Sequence, residues 1–247
     1  MADEYFAKYT GVVKDNRDAD KNGIVLVSVP TVFPPEELVP ARAALPFGYF
    51  FVPENETRVW VEFEGGDSEF PLWTGVQHTP STWAAEAAKD PPTVRAVKTV
   101  SGHLLIFDDT EGSESIVITD GKNAHKLLFD KDGVKLTDGK NSHVIEMSSA
   151  GIKITDGKNS HVIEMSSSVI DIKHGVGMAK VTLEASAVKA AVGASTLEIG
   201  AAMAKVDGPV VMLGAGAMPV LHLGDMGVGN LGAPVPITIT TQTKVLA

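Results

Sequence analysis

The sequence predicts an all-β chain in two parts: a small closed barrel, then an intertwined homotrimeric β-helix, or β-prism, ending in a C-terminal tip. Three observations carry this. An 18-residue unit is read three times between Ile118 and Ile172. The copies are Ile118-Thr-Asp-Gly-Lys-Asn-Ala-His-Lys-Leu-Leu-Phe, Leu136-Thr-Asp-Gly-Lys-Asn-Ser-His-Val-Ile-Glu-Met and Ile154-Thr-Asp-Gly-Lys-Asn-Ser-His-Val-Ile-Glu-Met. Self-similarity at fixed spacing means a stacked or coiled architecture. Within the unit, Val134 and Leu136 alternate with Lys135 and Thr137, and Ile145 and Met147 with Val144 and Glu146, the period of strands with one buried face. The aromatics are lopsided, with all three Trp before residue 84 and the last Phe at Phe129, so two kinds of structure share the chain.

Residues 1–79 read as the barrel. Thr10-Gly-Val-Val-Lys starts a strand, Asp15 to Gly23 is a polar turn, and Ile24 to Val29 is a second strand stopped by Pro30. Pro34, Pro35 and Pro40 fall in a long loop. Tyr49-Phe-Phe-Val52 reads as the third strand, Arg58 to Phe63 as a cleanly alternating fourth, Glu64-Gly-Gly-Asp67 as a hairpin turn and Phe70 to Val76 as the fifth. Five short strands in this length suit a closed barrel of OB type. Such barrels often bind nucleic acid, but these faces lack the interleaved basic and aromatic residues that single-strand binding needs.

Residues 80–100, with Pro80, Pro91 and Pro92 and two Ala pairs, read as a linker or collar with room for one helical turn. Residues 101–215 read as the shaft. Its turns are Asp-Gly-Lys-Asn at 120, 138 and 156, opposed by Lys131-Asp-Gly133 and Ser148-Ser-Ala-Gly151; Asp, Asn, Ser and Gly supply turn geometry and positive φ. The register continues, since Val181 and Leu183 lie 18 residues after Ile163 and Met165. A single-chain left-handed β-helix needs an apolar residue every six positions. Stepping by six from Ile118 gives Ala124, Asp130, Leu136, Ser142, Ser148 and Ile154, which fails. A chain with two faces per lap leaves strand edges and an apolar side in water, and that is unstable alone. Identical chains wound together are the simplest partner, with Ile, Val, Leu and Met pointing to a shared interior; a flat meander of hairpins in one chain is the alternative.

Beyond Val188 the side chains shrink to Ala and Gly, which lets three backbones approach closely and tapers the prism. Residues 216–247 break the strand pattern and read as an apex cap closing the apolar interior. His222, in Leu221-His-Leu223, is the candidate metal ligand: three copies on a threefold axis would present three imidazoles to a transition metal. The competing reading is an ordinary solvated or hydrogen-bonded histidine, and no cofactor is otherwise expected. His125, His143 and His161 recur with the repeat and read as residues of a wet strand edge. Asp120, Asp138 and Asp156 are explained by the turn alone. Asp108, Asp109 and Glu111 read as a turn rather than a paired-carboxylate site.

Composition narrows the function. The 247 residues contain no Cys, so neither disulfides nor a Cys-based metal site is available. The start Met1-Ala-Asp-Glu-Tyr shows no signal peptide, and no run approaches the ~18 apolar residues of a membrane-spanning helix. A net charge of −10 argues against a general nucleic-acid binder. A β-helical polysaccharide-degrading enzyme would need clustered, unique charges in a groove, whereas the recurring charges here lie in turns and repeat identically. That equality is what a scaffold requires, so no catalytic residue is assigned.

Five segments in order, Gly11-Val-Val-Lys-Asp-Asn, Gly23-Ile-Val-Leu-Val-Ser-Val-Pro, Gly48-Tyr-Phe-Phe-Val-Pro, Val59-Trp-Val-Glu-Phe-Glu-Gly-Gly-Asp and Pro71-Leu-Trp-Thr-Gly, resemble the N-terminal OB domain of contractile-tail spike proteins. These comprise phage baseplate spikes, type VI secretion spikes and related injection systems. Ser101-Gly-His-Leu-Leu-Ile-Phe-Asp-Asp-Thr-Glu-Gly-Ser-Glu-Ser-Ile is similar to the segment that leads into the family's trimeric β-helix. The resemblance implies a structural, membrane-puncturing central spike in the virion baseplate, made in the host cytoplasm. Its partners would be two further copies of itself, tail hub or tube proteins held by the OB domain, a tip-capping protein and the target envelope, with no nucleic acid. The alternative is the spike of a type VI-like or extracellular injection system. Two departures stand out. Some phage spikes carry a lysozyme domain between barrel and helix, which residues 80–100 cannot hold. Bare-tip members hold a metal through His-x-His, and here only His222 is present. A peripheral receptor-binding fibre would end in exposed aromatics, which this C-terminus lacks.

Overall fold

A computed structural model describes residues 4–79, 82–209, 226–228 and 234–236. The chain divides into two compact units, Met1–Ala85 and Glu86–Ala247.

The first unit is a closed barrel of β1 (Tyr9–Asp15), β2 (Val25–Ser28), β3 (Val39–Ala43), β4 (Arg58–Phe63) and β5 (Pro71–Val76), in the order β1-β2-β3-β5-β4. β1 pairs with β4 to close the ring, and β3 runs parallel to β5. The alternation read in β4 puts Val59, Val61 and Phe63 inside, where they join Val13, Val25, Val27, Val29, Val39, Ala41 and Trp73. β-Branched valines suit both the extended backbone and the narrow interior, and each contributes about 1.5–3 kcal/mol on full burial. Trp73 buries its ring and satisfies its one polar atom, Nε1–H donating to Gly23 O at 2.9 Å. Gly11 is small for a reason: a Cβ there would lie 2.7 Å from Val61 Cγ2.

One strand differs from expectation. The third strand is Val39–Ala43, inside the stretch read as a proline-rich loop, and Tyr49–Val52 is not a strand. Pro40 is tolerated because β3 meets β5 only from Arg42 onward, so the missing N–H lies ahead of that ladder. Of the apolar run, only Val52 packs on the core; Phe47, Tyr49, Phe50 and Phe51 are exposed. The turn read at Glu64–Asp67 is a single 3-10 turn, Glu64–Gly66, joining the antiparallel β4 and β5.

The second unit is an antiparallel meander of thirteen strands. They are β6 (Val94–Lys98), β7 (Leu104–Asp108), β8 (Ser115–Thr119), β9 (Lys126–Asp130), β10 (Gly133–Thr137), β11 (Val144–Ser148) and β12 (Gly151–Thr155). There follow β13 (Val162–Met165), β14 (Val169–Lys173), β15 (Ala179–Glu184), β16 (Ala187–Val192), β17 (Ser195–Gly200) and β18 (Ala204–Asp207). Each strand from β7 to β17 pairs with the ones before and after it in sequence. The 18-residue unit is thus two strands, one long turn and one short turn. Two short strands, β19 (Met226–Val228) and β20 (Pro234–Pro236), pair with each other. Expectations for His222 and most of the tip lie outside the described residues.

Two of the short turns, those before β10 and β12, demand glycine. Gly133 and Gly151 hold φ of 141° and 132°, and a Cβ on either would sit 1.9 Å from the carbonyl oxygen of Met147 or Met165. No L side chain fits there.

Candidate interaction face

The register of the meander sorts its side chains into columns. On one face, Phe107, Ile116, Phe129, Val134, Met147, Ile152, Met165, Ile170, Leu183, Val188 and Ile199 follow one another across paired strands. Beside them runs Leu105, Ile118, Leu127, Leu136, Ile145, Ile154, Ile163, Ile172, Val181, Ala190, Leu197 and Val206. The isoleucines of the repeat are not covered by their own chain: Ile145, Ile154 and Ile163 are each 39% exposed and Ile172 is 48% exposed. Two continuous apolar columns left open in this way are unusual, since scattered apolar residues are ordinary but contiguous ones are not.

Between these columns, on the opposite face, lies a row of charges interrupted by one threonine: Lys135, Glu146, Lys153, Glu164, Asp171, Thr182, Lys189, Glu198 and Lys205. Signs alternate except around Asp171, which opposes Glu164 on one side and Thr182 on the other. Lys173 lies 3.2 Å and Lys180 3.0 Å from Asp171, and Thr182 Oγ1–H donates to its Oδ1 at 2.7 Å. Burial pushes the Asp171 carboxyl up, but Thr182, Lys180 and Lys173 together hold it down at about 2. Each exposed pair in such a row is worth under about 1 kcal/mol. The row acts more strongly on register: a slip of one residue would set every charge among the isoleucines.

The long turns line one edge of the sheet. In the turn at 138, Asp138 N–H donates to His143 O at 2.8 Å, Ser142 N–H donates to Asp138 O at 2.8 Å, and the carboxylate accepts Lys140 N–H at 3.0 Å and Asn141 Nδ2–H at 2.8 Å. Ala124, Ser142 and Ser160 take the left-handed backbone at equivalent places, with φ of 56°, 59° and 59°. Asp120, Asp138 and Asp156 are all held below the usual carboxylate range, in each case most strongly by the side-chain amide of the Asn three residues on. The turns therefore form as the sequence implies.

The histidines do more than mark the edge. Nδ1 of His103, His125 and His143 lies 3.3, 3.0 and 3.0 Å from Oδ1 of Asp120, Asp138 and Asp156 in the next long turn. The N–H of the following Gly points at the same Nδ1, at 3.2–3.3 Å. These rungs tie successive turns together. The signal was present in the constant spacing from each His of the repeat to the next Asp, but spacing alone does not show that the two meet across a pair of strands.

The acidic turn after β7 is neutralised locally. Asp108 binds Lys89 at 3.0 Å and accepts Thr110 N–H at 2.9 Å, Thr110 and then Lys89 holding its carboxyl at about 2. Asp109 pairs with Arg95. Each of the two carboxylates thus has its own cation. Among the described residues no group of three or more His, Asp or Glu is placed to hold a metal, and no helix is long and apolar enough to cross a membrane.

Residues 9–78, the span of β1–β5, match the family model described as the type VI secretion system/phage-baseplate injector OB domain. No curated protein matches the chain.

Proposed function

We propose that this chain, whose N-terminal barrel belongs to the injector OB-domain family of phage baseplates and type VI secretion systems, is the central spike of a contractile injection machine. The observation that carries the reading is the pairing of that barrel with a meander whose two apolar columns stand open along its length. Three copies would turn those columns inward and seal them together. The charged row would then face water, and the chain's net charge of −10 disfavours adhesion to anionic membranes.

The mechanics follow from the ladder. Every strand from β7 to β17 is bonded on both sides, so a push is shared by many backbone hydrogen bonds. Contraction of the machine supplies the work, and the chain needs no chemistry of its own. The barrel would seat on hub or tube proteins and the shaft would point at the target envelope, the far end being closed by residues 216–247 or by a separate capping protein. The location that follows is the tail baseplate of the particle.

The position of the protein in assembled particles tests this. Cryo-electron microscopy of tails containing a tagged chain is expected to show one threefold-symmetric set on the tail axis. Several sets around the rim would make it a peripheral fibre and overturn the proposal.

A further inference from the structure

The fourth long turn departs from the other three. Asp120, Asp138 and Asp156 occupy one place in the repeat, and the same spacing puts His174 there in the turn between β14 and β15. His161 therefore meets an imidazole where the preceding histidines meet a carboxylate. The His161 and His174 ring centroids are 4.5 Å apart, with the planes inclined by 60°.

Both rings accept a backbone hydrogen bond. Gly175 N–H donates to His161 Nδ1 at 3.0 Å, and Gly177 N–H donates to His174 Nδ1 at 2.8 Å. An accepting Nδ1 uses its lone pair, so each ring carries its single proton on Nε2. A second proton would face the glycine N–H donor with another donor. It would also set two cations side by side. At His103, His125 and His143 a Gly N–H faces Nδ1 as well, but there the second proton also finds an aspartate oxygen.

Among the described residues the charges nearest the pair are already engaged. β14 brings Lys173 and β15 brings Lys180, both cations engaged by Asp171, with Glu164 of β13 also on Lys173. Asp156, from the turn before β13, is spent on His143 and Asn159. The turn also lacks the aspartate clamp of the others, carrying exposed Val176 and Met178 instead. Its remaining closing contact is His174 N–H donating to Ala179 O at 3.0 Å.

We propose that residues 174–178 form an acid-sensitive joint, which opens when His161 and His174 gain their second protons while the three preceding rungs hold. The contribution of these two contacts is present while both rings are neutral and is lost as falling pH adds the second protons. The inference concerns a single sheet and does not depend on how many chains associate.

Hydrogen exchange of the full chain by mass spectrometry at pH 8 and pH 5, corrected for the intrinsic pH dependence of exchange, tests it. Protection of the peptide holding Gly175 and Gly177 should fall at least about tenfold. The 138–142 and 156–160 turns should keep theirs. His174→Asp, which restores the carboxylate of the repeat, should abolish the loss. Equal protection at both pH values in the wild type, a loss shared by all the long turns, or a loss that persists in His174→Asp would each overturn the proposal.

Discussion

Replacing Ile154 by Asp separates the needs of one sheet from the needs of an assembly. Ile154 lies between Ile145 and Ile163 in an apolar column and is 39% exposed. Fully burying an isoleucine is worth about 1.5–3 kcal/mol, so covering the open two-fifths contributes roughly 1 kcal/mol per chain, or about 3 kcal/mol over three copies. The carboxylate adds a larger penalty, since each ion taken into a dry shared interior costs several kcal/mol. Together these reach on the order of 10 kcal/mol per trimer, enough to dissociate it at micromolar concentrations. Within one chain the new side chain keeps its access to water, and the meander loses only about 1 kcal/mol of contact with its neighbours. Sedimentation equilibrium should therefore report a mass near the 26.0 kDa of a single chain, while far-ultraviolet circular dichroism still shows β-structure. Lys153→Ala, one residue away on the charged face, should leave the wild-type mass intact. An Ile154→Asp protein with the wild-type mass, or a Lys153→Ala protein that dissociates equally, would refute the assignment of faces.

Gly151→Ala should cost at least about 3 kcal/mol in denaturant unfolding, because its Cβ would overlap Met165 O and the φ of 132° is strained for any L residue; a loss under about 1 kcal/mol would mean that β12 and β13 are not in this register. Asp171 gives a pH signature. Its carboxyl is held down at about 2 in the folded chain, so its contribution is present above the ordinary carboxylate value near 3.9 and is lost as pH falls from there toward 2. Asp171→Asn should flatten the stability curve in that window relative to wild type, and parallel curves would show that the cluster with Lys173, Lys180 and Thr182 does not act as described.

The shaft was legible because its rules are local. Val134 to Thr137 and Val144 to Met147 alternate, Asp-Gly-Lys-Asn turns the chain, and repetition multiplies the signal. β3 was not legible. Val39-Pro-Ala-Arg-Ala carries a proline and little apolar bulk, and it becomes a strand by pairing antiparallel with β2 and parallel with β5, a partner far along the chain. Tyr49–Val52 misled in the opposite direction: a continuous apolar run without alternation fits a buried strand, yet three of its residues are exposed aromatics. The histidine rungs fell between these cases. Their spacing was visible, but the ring orientation that joins His125 to Asp138 depends on how two turns stack. The open isoleucine columns were foreseeable from one-sided patterning, since a chain with two faces per lap leaves its apolar side uncovered.

The mass of the unmodified full chain in solution tests the central claim most directly. Sedimentation equilibrium should give about 78 kDa, three times the 26.0 kDa of one chain. A stable, folded species of 26.0 kDa would contradict it, because the isoleucine columns would then face water without partners.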